Sequence, residues 1–260
     1  MLNYLFGINN IKLYVFILLM NDDSIKNIGD IKNIFYINLD TRPDRQQHFE
    51  NQMKMLGLNA TRFNAIKHNC GAIGCSLSHL NLLKYARDNN LDHILIMEDD
   101  IMFLNPQVFI YNLNNVLTNH PDFDVLLIAG NNMGAYDRLD KFCIKITKCQ
   151  TTTGYLVKSH YYDKLIKNYE EGINNLSKNI KLMDYFAIDQ YWNKLQLEDK
   201  WYLVTPLTVT QKPDYSDIEK RVINYNYVML DLEKEKLRQL QYIKELKKLP
   251  NPMNSILYNK

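Results

Sequence analysis

Glu98, Asp99 and Asp100 stand in a row directly behind the apolar run Ile94–Met97. Three adjacent carboxylates are costly to bury unless a cation neutralises them. Carboxylate oxygens are the ligands hard divalent cations take, and such a cation stabilises charge on phosphoryl oxygens. A hard-metal site holding a phosphate-bearing ligand is therefore the first expectation. For the triplet alone, a solvated acidic turn would be the better reading. Two other groups change the balance. Arg42 and Arg45 follow an apolar run, and guanidinium groups pair well with phosphate. Gly74–His79 (GCSLSH) offers small residues, the hydroxyls of Ser76 and Ser78, and the imidazole of His79 at what reads as a helix N-terminus, a natural anion site. Each signal is weak by itself, since arginines after a strand are usually surface charge and Ser76 is usually a cap. Gly71–Gly74 fits neither a Rossmann glycine fingerprint nor a Walker loop, which lowers ATPases and nicotinamide dehydrogenases.

These groups need elements to hold them. His93–Met97 reads as a short strand buried on both faces, as in a parallel or mixed sheet, and ligands collect at the carboxyl ends of such strands. Ile34–Leu39 is β-rich and reads as the first strand, followed by a helix that Pro43 opens and Gly57 stops. Thr61–Ile66 is expected as a second strand, Gly71–Gly74 as a loop, and Ser76 as the N-cap of a helix carrying Leu77, Leu80, Leu83 and Ala86. Asp124–Ala129 reads as a strand ending in a turn at Gly130–Asn132. Phe142–Ile146, Gly154–Val157 and Trp201–Val204 read as further strands, and Asp184–Leu195 as a helix with Ile188, Trp192 and Leu195 on one stripe. Short strands alternating with helices predict an α/β domain of three layers.

The 260 residues can bury a substantial core, and a formal net charge of +2 gives no support to bulk nucleic-acid binding. The four cysteines, Cys70, Cys75, Cys143 and Cys149, lack CxxC spacing. Reduced thiols are expected and zinc is not, although His68 and His79 lie close to the first pair. At the amino end, Leu13–Met20 is an apolar octet after Lys12, too short to span a bilayer, which takes about 20 residues. A weak signal peptide, a poor anchor and a segment packed on the domain all stay open, with a cytoplasmic or loosely membrane-associated protein favoured over a secreted one. Val228–Leu249 reads as a long charged amphipathic helix, either packed on the domain or serving a partner or homo-oligomer.

The ordered set Ile34–Arg45 (IFYINLDTRPDR), Arg62–Ala65 (RFNA), Gly74–His79 (GCSLSH) and Leu95–Ile101 (LIMEDDI) resembles successive blocks of glycosyltransferase family 25. That family includes lipooligosaccharide and procollagen galactosyltransferases. Thr153–Val157 (TGYLV), Ile188-Asp189 and Gln211 through Ser216-Asp217-Ile218 continue the resemblance in order. It implies a GT-A-like fold, with a Rossmann-like mixed sheet flanked by helices, over 31–218. An apolar leader or extension over 1–30 precedes it, and a helical tail over 219–260 follows. It also implies a UDP-sugar donor, a divalent metal such as manganese, and inversion at the anomeric carbon. In place of the acidic residue that often follows the alanine of RFNA stand Ile66 and Lys67, and the His68–Ala72 segment is short.

By the same resemblance, Asp100 is the direct metal ligand of a DxD-like motif. Glu98 reaches the ribose or the metal, and Asp99 orients the turn. Donor contacts fall on Leu39, Arg42, Arg45, Ala65, Ser76, Ser78, His79, Gly154, Tyr155, Gln211 and Ser216. Asp189 is the expected catalytic base, one helical turn from Tyr185 and Trp192, with Asp184 in reserve; a surface aspartate beside a core tryptophan is the alternative. Together these imply transfer of galactose or glucose from UDP to a hydroxyl of a glycan or hydroxylysine acceptor. An inert nucleotide-sugar- or partner-binding relative is one rival. A metal-dependent phosphohydrolase is the other, and it would need a second acidic cluster.

Overall fold

The computed structural model describes residues 25–216, 218, 220–234 and 239. Of the leader expected over 1–30, residues 1–24 lie outside these, as does most of the helix expected over Val228–Leu249.

The apolar run Ile34–Asn38 forms β1, and Thr61–Asn64 forms β2 parallel to it. Between them α1 (Pro43–Leu56) starts on Pro43, where a missing N–H costs nothing, and stops at Gly57, whose φ of 67° suits glycine. Gly71–Asp88 forms α2, and His93–Glu98 forms β3, parallel to β1. Short β4 (Ile101–Phe103) leads into α3 (Pro106–Asn119), capped by the Asn105 side chain. Then come β5 (Val125–Asn132), β6 (Tyr136–Arg138), β7 (Cys143–Ile146) and β8 (Cys149–Lys158). After α4 (Tyr162–Lys178) follow three short helices, α5 (Met183–Phe186), α6 (Ile188–Tyr191) and α7 (Asn193–Glu198). The described chain ends with β9 (Trp201–Val204), β10 (Val209–Gln211), β11 (Asp214–Ser216), β12 (Arg221–Ile223) and α8 (Asn226–Met229).

Eight strands make one mixed sheet in the order β2-β1-β3-β8-β5-β9-β7-β6. Strand β3 lies between parallel β1 and antiparallel β8, so both its edges are paired, and helices cover both its faces, as its unbroken apolar run predicts. Side chains alternate across it. Leu95 and Met97 join a core with Phe49 and Met53 of α1 and Leu113 of α3. Ile94 and Ile96 join a second core with Leu82 and Leu83 of α2 and Tyr169 of α4. The chain thus has the expected α/β class, a mixed sheet with helices on both faces. Among the described residues no helix is long and apolar enough to cross a membrane.

Three expected boundaries change. Gly71–Gly74 is the first turn of α2 rather than a loop, and the N-cap position falls to Cys70, not Ser76. A side chain at Gly74 would put its Cβ 2.6 Å from the Ile66 carbonyl oxygen, so glycine here permits close packing of helix on strand end. Gly130–Asn132 is not a turn: β5 runs through it, pairing Asn131 with Gln150 and Asn132 with Cys149. The helix expected over Asp184–Leu195 is broken at Ala187, whose ψ of 150° is extended. Ile188, Trp192 and Leu195 still bury one stripe, but exposed Tyr185 does not sit a turn from Asp189 on a continuous helix. Asp184 is exposed on α5.

Candidate active site

The site lies where the parallel strands β1 and β3 end. Alternation carries Glu98 on from Ile94 and Ile96 toward the face covered by α2, and sends Asp99 the other way. Asp99 accepts from Asn38 Nδ2 at the end of β1 (2.7 Å) and from Arg45 Nη1 (3.0 Å). The same Arg45 nitrogen donates to Asp100 Oδ2 at 2.9 Å. Arg45 Nε lies 3.3 Å from Asp214 Oδ2, which also takes Arg42 Nη2 at 2.6 Å. Arg42 pairs with Asp44 as well, at 2.9 Å. Of the two arginines expected to meet phosphate, Arg45 therefore organises the acidic turn, and Arg42 is tied to it through Asp214.

Glu98 is held from three elements. Its Oε1 accepts from Thr152 Oγ1 of β8 (2.6 Å), and its Oε2 from Gln211 Nε2 of β10 (2.9 Å). His79 Nε2 approaches Oε1 at 3.7 Å and Cys75 Sγ at 3.9 Å, both from α2. Burial works to raise the Glu98 carboxyl, but His79, Thr152 and Arg45 outweigh it and keep it below the ordinary value. Asp99 is raised by burial, with Arg45 and Asn38 opposing. Asp100 is pushed up to about 8 by burial and by the charge of Glu98, because Arg45 divides one positive charge among several carboxylates. Its second oxygen, Oδ1, is buried without a hydrogen-bond partner.

Asp189, on α6, reaches the same region. Its Oδ2 accepts the Thr151 backbone N–H at 3.1 Å, and burial raises its carboxyl, helped by the negative charge of Glu98. Thr151 stands at a φ of 72°, a costly conformation for a β-branched residue and one that shapes this corner of β8. An acidic group with a raised pKa, beside the Glu98–Asp100 cluster, is suited to accept a proton.

Of the residues expected from sequence, Arg45, His79, Glu98, Asp99, Asp100, Asp189 and Gln211 converge here. Arg42 and Ser216 border the site through Asp214 and the β11–β12 hairpin, and Leu39 and Ala65 lie half-buried just beyond the carboxyl ends of β1 and β2. Ser76 and Ser78 do not present hydroxyls at a helix start. Both are buried inside α2 and donate to the carbonyls of Ala72 and Gly74 at 2.8 and 2.7 Å. Tyr155 is a core residue, its hydroxyl 2.8 Å from His79 Nδ1. A Cβ at Gly154 would meet Ile128 and Ile101, so this glycine packs on core side chains. Sequence reading missed Asn38, Cys75, Thr152 and Asp214. Only Cys75 had a local signal, its i,i+4 spacing to His79.

No curated protein matches the chain. Solved structures with a partial likeness to the chain include a mannose-1-phosphate geranyltransferase from Thermus thermophilus, with 7% identity and a TM-score of 0.40 over 66% of this chain and 72% of that one. A glycosyltransferase involved in glycosylation of the major capsid of PBCV-1 has 8% identity and a TM-score of 0.36, over 67% of this chain and 92% of that one. A mutant Drosophila β-1,4-galactosyltransferase 7, complexed with manganese, UDP-Gal and xylobiose, has 17% identity and a TM-score of 0.28, over 51% and 50%. Residues 69–177, which hold α2, β3, the acidic turn and β8, match the family model of glycosyltransferase family 25 (LPS biosynthesis protein).

Proposed function

We propose that this protein is a metal-dependent, inverting glycosyltransferase that moves a hexose, galactose or glucose, from UDP to a hydroxyl of a glycan or hydroxylysine acceptor. The observation that carries the reading is the unpartnered, buried Asp100 Oδ1 beside Glu98. A carboxyl raised by burial and by a neighbouring carboxylate fits a divalent cation, which Asp100 and Glu98 would hold. When bound, the cation would offset negative charge growing on the departing diphosphate.

The chain's own groups do the rest. Arg45 supplies a guanidinium group beside the acidic turn, in reach of phosphate oxygens once Asp100 turns to a cation, with Arg42 joined to it through Asp214. Gln211 keeps Glu98 oriented from β10. Asp189 acts as the base. The acceptor O–H bond breaks as its oxygen bonds to the anomeric carbon, the proton goes to Asp189, and the UDP oxygen leaves with its bonding electron pair. The Thr151 N–H holds Asp189 Oδ2 and so fixes the carboxylate against β8.

The test is UDP release from UDP-galactose and UDP-glucose with manganese, with and without chelator, in wild type and Asp100→Ala. Manganese-dependent hydrolysis of one donor, lost in the variant, supports the reading and names the sugar. No turnover and no metal-dependent nucleotide binding by folded protein overturns it.

A further inference from the structure

We infer that Cys75, His79 and Glu98 form a second cation site, selective for a borderline-soft divalent ion of the zinc type. It differs in donor set from the all-oxygen pair Glu98 and Asp100. One sulfur, one imidazole nitrogen and one carboxylate oxygen lie within 4.8 Å of one another, the only such group of ligand-type side chains among the described residues. Thiolate and imidazole favour zinc or cobalt over manganese or magnesium.

The positions follow from the helix and strand periods. Cys75 and His79 are one turn apart on the face of α2 that covers β3, and alternation brings Glu98 to the same face. Glu98 Oε1 lies 3.9 Å from Cys75 Sγ and 3.7 Å from His79 Nε2. A tetrahedral zinc with bonds of about 2.3 Å to sulfur and about 2.0 Å to nitrogen and oxygen needs donors roughly 3.3–3.5 Å apart. The two pairs that include Glu98 have only to close by a few tenths of an ångström, and Cys75 and His79, whose donors lie within 4.8 Å, by about 1.3 Å at most.

His79 gives the independent sign of a ligand. It is 1% exposed, yet its Nε2 has no hydrogen-bond partner and points at Glu98. A buried imidazole nitrogen left in this way is costly unless something binds it. Its other nitrogen, Nδ1, lies 2.8 Å from the Tyr155 hydroxyl, which lies 3.2 Å from that of Tyr169. In the tautomer that presents a lone pair at Nε2, Nδ1–H donates to Tyr155. Zinc-ligating histidines typically carry such an outer hydrogen bond. On binding, the Cys75 S–H bond breaks, sulfur bonds to the cation, and the proton goes to solvent. The fourth position is left for water. Glu98 Oε1 leaves Thr152 for the ion, while Oε2 keeps Gln211. Because Glu98 belongs to both donor sets, a soft ion here would compete with a hard one at Asp100; this consequence alone rests on the proposed function.

The test is titration of the chelator-stripped full chain with cobalt(II), read by absorbance. Wild type is expected to show a thiolate-to-cobalt charge-transfer band at one equivalent, with visible bands of tetrahedral intensity. Cys75→Ser is expected to lose the charge-transfer band and bind at least 10-fold more weakly, while Cys70→Ser keeps it. Absence of the band in wild type, or its survival in Cys75→Ser, overturns the inference. Glu98→Gln, which removes a ligand without opening a void, must also weaken cobalt binding, and an unchanged affinity overturns the inference even if Cys75→Ser fails to fold. The readout needs no turnover, so it stands or falls apart from sugar transfer.

Discussion

Replacing Asp100 by asparagine should make the metal-free protein more stable at neutral pH, by an amount set by the crowding of the acidic turn. The Asp100 carboxyl is pushed from 3.8 to about 8, first by burial and then by Glu98. A carboxyl raised in this way holds its proton in the folded state and loses it in the unfolded chain. Stability is therefore greatest below the unfolded value and falls as pH rises toward the folded one. From pH 4 to pH 7 that is about three units, or about 4 kcal/mol at 1.36 kcal/mol per unit. Asparagine carries no such cost, and its amide oxygen still accepts from Arg45. The protonated carboxyl it replaces is likewise a neutral acceptor, so this exchange changes little. A net gain of about 4 kcal/mol is expected at pH 7, shrinking to nearly nothing at pH 4.

Urea unfolding of both proteins in chelator, repeated from pH 4 to pH 8, measures this difference directly, because every other titrating group is common to the pair. With saturating manganese the order should reverse, since a ligand that binds only the folded wild type stabilises it alone. A variant that is less stable than wild type at pH 7 in chelator, or a gap that does not change with pH, would refute the account of the turn as three carboxylates short of positive charge.

Asp189→Asn keeps an oxygen for the Thr151 N–H but cannot take a proton, so kcat should fall by about 10²- to 10⁴-fold while the KM for donor changes little. In wild type the acid limb of kcat should sit above the ordinary carboxylate range, as burial of Asp189 requires. Thr152→Val removes the 2.6 Å hydroxyl bond to Glu98 and should weaken manganese activation by about 10- to 100-fold, read from the metal dependence of UDP release. Gly154→Ala places a Cβ 2.7 Å from Ile128 Cγ1 and 3.1 Å from Ile101 Cδ1, and should cost about 1–3 kcal/mol in urea unfolding.

What the sequence made legible was whatever had a local period. Four apolar residues followed by three acids announce a buried strand running into a charged turn, and Pro43 and Gly57 bracket a helix by backbone chemistry that no tertiary contact needs to supply. Partners from distant segments had no such signal. Thr152 meets Glu98 across 54 positions and Asp214 meets Arg42 across 172, and neither residue stands in a local pattern that points to the other.

The misreadings share one physical cause, which is that glycine and serine are ambiguous. Gly74 and Gly130 read as turn residues because glycine tolerates unusual backbone angles, yet both lie in regular elements. They are small because another part of the chain presses on them: the Ile66 carbonyl 2.6 Å from a Cβ at Gly74, and Cys149 Sγ 2.5 Å from one at Gly130. Ser76 read as a cap because its hydroxyl can hold a free backbone N–H, but inside a helix the same hydroxyl bonds the carbonyl four residues back. The error hid chemistry as well as structure. Once α2 begins at Gly71 rather than at Ser76, Cys75 lies within the helix, a full turn before His79 and on the face that looks at Glu98. CxxC spacing alone sets zinc aside, whereas the proposed site rests on helical spacing, with its third donor supplied from a strand.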